Sequence, residues 1–267
     1  MQSFIALFHV AGPATLVDLA VIYSMAAIFS GLSGFGFSAI GCLSLLVLPT
    51  QLGIAMLMAL SLITQASSFG TLWPELRRHA LPLRRRDGVM PYLAGGTVGM
   101  PVGLAILAAV GARELTVALG LLLMGYSAWS LFKPSDLRFC DSEPMRWRSF
   151  LVGAAGGVVG GFSAFPGSAL VVWNGLSGVG KEKGRALTQP FILWMQLVGL
   201  ALLVATRARM FDAAFWAIFA AALPAALLGN ALGVAIYRKT GDVGYRRITF
   251  VALGLSGCGL VFKIILT

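Results

Sequence analysis

The sequence predicts an all-α polytopic membrane protein made of two inverted repeats, each a broken or re-entrant helical hairpin followed by three spanning helices. Three observations carry this expectation. The chain is 58% hydrophobic and only 11% charged. Its apolar runs reach the roughly 20 residues that a bilayer crossing requires. Two separate blocks recur at one offset of 130 residues.

A mean hydropathy of +0.87 over 267 residues is far from that of a water-soluble domain, so lipid must solvate most of the chain. Long apolar runs stand at 14–32, 52–73, 89–110, 114–132, 188–205, 212–237 and 246–266. The segments 36–49, 149–164 and 167–179 are apolar but shorter. The first of them would reach about 21 Å as a helix, short of a hydrocarbon core of about 30 Å. Length therefore favours an incomplete crossing, although charge alone fits a crossing pair equally well.

At the offset of 130, GLSGFGFSA (31–39) falls on GFSAFPGSA (161–169), matching Gly31, Ser33, Phe35, Ser38 and Ala39 with Gly161, Ser163, Phe165, Ser168 and Ala169. The same offset matches Gly99, Gly103, Ala105 and Ile106 with Gly229, Gly233, Ala235 and Ile236. Two blocks at one offset imply duplication, with a first membrane repeat at 1–132, a cytoplasmic linker at 133–148 and a second membrane repeat at 149–267.

Cytoplasmic loops of membrane proteins are enriched in Lys and Arg. Placing the basic loop 74–88 inside also puts the linker, the 181–185 turn and the 238–247 loop inside. Only Arg113, Arg207, Arg209 and Lys263 are then left outside. The two halves then face opposite ways and both termini are external. The net charge of +10 is explained by topology, and since the basic residues form no patch, nucleic acid is not an expected partner.

Other classes lack their signatures. Cys42, Cys140 and Cys258 have no CxxC spacing, so no disulfide framework and no metal site is expected. The first residues lack a basic region and a small-residue cleavage site and read as mature protein. No HExxH, GxSxG or close acidic pair supports an enzyme, and no GxxxxGK[ST] loop supports an ATP-driven pump. No cofactor is expected.

The matched blocks 31–39 and 161–169 fall at the hairpin bends, where Gly and Ser replace the Leu of a lipid-facing helix. Broken backbone at membrane depth has to be covered by protein or a water-filled cavity. Two bends entering from opposite faces would meet near the midplane, and the helix starts at Ser38 and Ser168 would aim N–H groups at one centre. Ser33, Gly34, Gly36 and Ser38 from the first bend and Ser163, Pro166, Gly167 and Ser168 from the second are therefore candidate anion-binding residues. Pro166 suits a first helical turn, and Gly36 and Gly167 allow close approach of a ligand. Gln65, Asn174 and Gln196 are candidate neutral donors from neighbouring segments. The competing reading is close helix packing, and it is kept for Gly99, Gly103, Gly229 and Gly233. Asp18 lies only a few residues into its span and reads as interfacial.

The bend sequence GLSGFGFSAIGCLSLLVLP, its counterpart GGVVGGFSAFPGSALVVW and the basic turn KEKGR resemble the sulfite exporter TauE/SafE family, also called the toluene sulfonate uptake permeases. The resemblance runs from about 14 to 265. It implies a secondary transporter of a small sulfur-containing or organic anion in a bacterial inner membrane, with the lipid bilayer and the anion as partners. Self-association as a homo-oligomer is left open. An anion channel or a non-transporting membrane subunit is the alternative. The chain departs from the family pattern where Gly-x-Gly-Gly would stand, with Gly34-Phe35-Gly36-Phe37 in the first half and Ala164-Phe165-Pro166-Gly167 in the second.

Overall fold

A computed structural model describes residues 13–70, 73–79, 88–132, 146–177 and 179–239, together with Val251, Gly254, Gly257, Cys258 and Val261. The expected linker up to residue 145, the basic loop at 80–87, Cys140 and most of the expected last span at 246–266 lie outside the described residues. What is described is helical, with no strand among the described residues.

The order begins with α1 (Pro13–Ser33), the short α2 (Phe37–Gly41) continued by a 3-10 turn (Cys42–Leu46), α3 (Thr50–Phe69) and α4 (Trp73–His79). It continues with α5 (Met90–Ala109), α6 (Ala112–Phe132), α7 (Arg146–Ser163), α8 (Gly167–Leu176), α9 (Lys181–Arg207) and α10 (Ala213–Lys239). Among the described residues, Thr15–Ser33, Thr50–Phe69, Met90–Ala109, Glu182–Met210 and Ala213–Lys239 are long and apolar enough to cross a membrane. α8, with 10 residues, extends only about 15 Å, half of a hydrocarbon core.

Burial is sorted as lipid requires. Phe132 and Leu228 are 83% and 73% exposed, whereas Thr64, Ser163 and Gln196 are fully covered. Lipid solvates Leu and Phe as well as a protein interior does, so polar groups turn inward to find partners.

The helix breaks have local causes. After Ser33 the chain enters the left-handed region at Gly34, with φ of +78°. The Ser33 hydroxyl accepts from the Gly36 and Phe35 N–H groups at 2.8 and 3.3 Å, satisfying donors that the helix has released. After Ser163 the chain does the same at Ala164, with φ of +56°, and Ser163 Oγ accepts from the Phe165 N–H. Among the described residues, these two have the only positive φ values, and they are 130 positions apart.

The closest seams join the two halves of the sequence. Gly95, Gly99 and Gly103 of α5 lie against the Phe150, Ala154 and Val158 carbonyls of α7, where any Cβ would overlap backbone. Contacts advance together along both helices, so α5 and α7 run parallel. α10 and α1 repeat the arrangement, Gly229 against Ser24 and Gly233 against Ile28. In contrast, α3 and α9 run antiparallel. Gln65, late in α3, is bonded by Gln189, early in α9, while the earlier Met58 lies beside the later Gly199. Asn230 of α10 ties α3 in place by donating to Thr64 O at 2.9 Å and to the Ser67 and Ser68 hydroxyls.

Candidate functional site

The two bends touch. Phe35 and Phe165, equivalent under the offset of 130, stack with centroids 6.3 Å apart. Ser38 Oγ donates to the Ala164 carbonyl, and a Cβ on Gly167 would stand 3.3 Å from Phe35 Cβ. Ser33, Ser38, Ser163 and Ser168 are all buried here. Eight of the expected residues, Ser33, Gly34, Gly36, Ser38, Ser163, Pro166, Gly167 and Ser168, thus lie on two segments that meet in the interior.

Their hydroxyls are engaged with backbone. Ser33 donates to Phe29 O at 2.7 Å, Ser163 to Val159 O at 2.6 Å and Ser168 to Phe165 O at 3.0 Å. Gln65 and Gln196 serve the bends in parallel ways. Gln65 Nε2 donates to Gly34 O at 3.1 Å, and Gln196 Nε2 donates to Ala164 O at 3.0 Å. A carbonyl at a left-handed break has left the helical ladder, and each glutamine supplies the missing donor. Asn174 is elsewhere, at the far end of α8, reaching Gly184 O and Thr188 Oγ1 at 3.5 and 3.4 Å. Pro166 stands at the N-cap of α8, where its missing N–H costs nothing.

One face of α9 serves both bends. Arg185, Gln189, Ile192 and Gln196 follow one another at helical spacing. Arg185 lies on Gly34 and Gln189 donates to Gln65 Oε1 at 3.1 Å. Ile192 packs on Gly167 and Gln196 on Ala164. Arg185 has no place among the candidate residues named from sequence. In KEKGR it reads as one more loop cation, but α9 begins at Lys181, which carries Arg185 into the second turn and the interior. Its helical spacing from Gln189 and Gln196 was the available signal.

Other features stand apart. A shallow cavity of about 580 Å³, lined by Gln51, Thr206, Arg207 and Arg209 among others, lies at the far end of α9. It is roughly 15 Å along the helix from Gln196. Asp18 is exposed on α1. Among the described residues, no group of His, Cys, Asp and Glu could hold a metal ion.

A bundle of apolar spans around a buried, broken-helix centre defines a multi-pass membrane protein. Residues 19–260 match the family Sulfite exporter TauE/SafE, and the chain belongs to that family. No curated protein and no solved structure matches the chain.

Proposed function

We propose that the chain is a secondary transporter of a small sulfur-containing or organic anion, bound near the midplane between the bends of two inverted repeats. The observation that carries this reading is the contact of the two left-handed breaks, joined by Phe35 on Phe165 and by Ser38 on Ala164. Inversion is supported by the antiparallel crossing of α3 and α9, which are equivalent under the offset of 130. Family membership supplies the substrate class. In this reading the cytoplasmic linker 133–148 joins the two repeats in sequence, the basic loops face the cytoplasm, both termini are external, and the membrane is a bacterial inner membrane.

In this conformation the serine hydroxyls rest on backbone carbonyls. An arriving oxyanion offers each a charge-assisted bond in exchange, so Ser38 could release Ala164 and turn to the substrate as the bends part. The test is anion flux in liposomes containing the purified chain, with sulfite and small sulfonates as the first solutes. The wild type should carry at least one of them, and replacing Ser38 and Ser168 together by Leu should abolish flux while membrane insertion persists. Wild-type uptake in that double variant would remove the site from between the bends.

A further inference from the structure

Arg185 is 6% exposed, yet among the described residues no carboxylate pairs with it. Its Nη2 donates to Gly31 O at 2.9 Å and its Nη1 to Leu32 O at 3.4 Å, both at the carboxyl end of α1. The guanidinium lies 3.9 Å from the centre of the Tyr237 ring. Its Nε has no hydrogen-bond partner, and the side chain runs along the first bend, with Cγ and Nε each 3.1 Å from where a Gly34 Cβ would be.

Carbonyls at a helix end and an aromatic face attract a cation, but neither cancels its charge. A buried, uncompensated guanidinium is costly, and an arriving counter-charge would offset that cost. The position beside the first bend restricts what can arrive to a group small enough to reach buried space. The open Nε–H lies on the same edge of the guanidinium as Nη2, which carries two N–H groups and has one acceptor here, Gly31 O, so that edge supplies the fork that matches two oxygens of one oxyanion. We propose that Arg185 is the substrate-binding residue that holds the anionic group, a sulfite or sulfonate head, at the first bend. The inference deepens the transporter reading and rests on it. It also breaks the symmetry of the site, because the equivalent position in the first half is Ala55.

The test is thermal stabilisation of the purified full chain by sodium sulfite and sodium methanesulfonate, with sodium chloride at equal ionic strength as control. Wild type should be stabilised by at least one of the two. Arg185→Gln should raise the half-saturating concentration by about 10–100-fold, the loss expected for hydrogen bonds to a charged group. Arg185→Lys, which keeps the charge and loses the fork, should fall between them. A purely structural arginine would lower the melting midpoint without anion and leave the half-saturating concentration unchanged. Equal half-saturating concentrations in wild type and Arg185→Gln overturn the assignment. If Arg185→Gln does not fold, an Arg185→Lys protein that binds as wild type does so instead. A wild type that responds to neither anion overturns the sulfite or sulfonate head held by Arg185, whereas absence of flux for every anion in the liposome assay overturns the transporter reading.

Discussion

Exchanging the residues at the two left-handed breaks tests how the bends are built. Gly34 and Ala164 occupy equivalent positions with φ of +78° and +56°, yet the exchange should be strongly asymmetric. Gly34→Ala incurs the left-handed penalty of about 1–2 kcal/mol for a residue with Cβ. The new methyl would also stand 3.1 Å from Arg185 Cγ and Nε and 3.4 Å from its Cδ. That side chain is held by Gly31 O and the Tyr237 ring, so it yields little, and overpacking of this kind costs about 1–3 kcal/mol. The sum, about 2–5 kcal/mol, corresponds to a midpoint lowered by roughly 5–15 °C. Ala164→Gly relieves the same penalty but gives up a fully buried methyl, about 0.8 kcal/mol, and adds about 0.4–1 kcal/mol of unfolded-chain entropy, leaving a change within about 1 kcal/mol of zero. The assay is thermal unfolding of both variants in one lipid or detergent at one heating rate, with Gly34→Ala repeated in an Arg185→Ala background, which lacks Cγ, Cδ and Nε. The steric part, about 1–3 kcal/mol, should vanish there. A Gly34→Ala protein as stable as wild type would refute both the backbone geometry and the obstruction.

Three further outcomes follow from the packing. Gly99→Leu or Gly233→Leu should prevent a monodisperse preparation, because each side chain would enter a backbone-to-backbone seam; Gly125→Ala, with nothing within 4 Å of its Cβ position, should be neutral or stabilising by up to about 1 kcal/mol in size-exclusion and melting tests. Gln196→Leu removes one of the two donors on the buried Ala164 carbonyl, leaving Ser38, and should lower stability by about 0.5–1.5 kcal/mol, read in the same melt; Gln196→Glu should not restore it. In a Cys140→Ser background, a small hydrophobic maleimide should modify the exposed Cys258 and spare the buried Cys42 until the protein is denatured, as read by intact mass.

Much of this architecture can be read from residue order because the forces are local or periodic. Ser33 and Ser163 end their helices by bonding their own downstream N–H groups, and Gly34 permits the turn, so the bends are visible as short motifs. The glycines at 99, 103, 229 and 233 recur at helical spacing, and close packing was the expected use. What the sequence conceals is which groups pair across distance. Gln65 and Gln196 were expected to offer N–H groups to a ligand, but those donors are on the Gly34 and Ala164 carbonyls, a need created only once the left-handed residues strand them. Arg185 was hidden by its neighbours Lys181 and Lys183, since a cation in a basic turn resembles every other topology-setting charge until the helix start is known. Asn230, which binds three groups of α3, sits among Gly and Ala and gives no local sign of its partners.

The parallel seams have a consequence for how the protein is made. α1 has its glycine-lined partner in α10 and α5 has its partner in α7, so neither seam can close while only the first 132 residues are in the bilayer. During synthesis those small-residue stripes face lipid, or a membrane chaperone, until the later helices emerge. The two gene halves expressed separately should each be degraded, and should survive when produced together in the same cell.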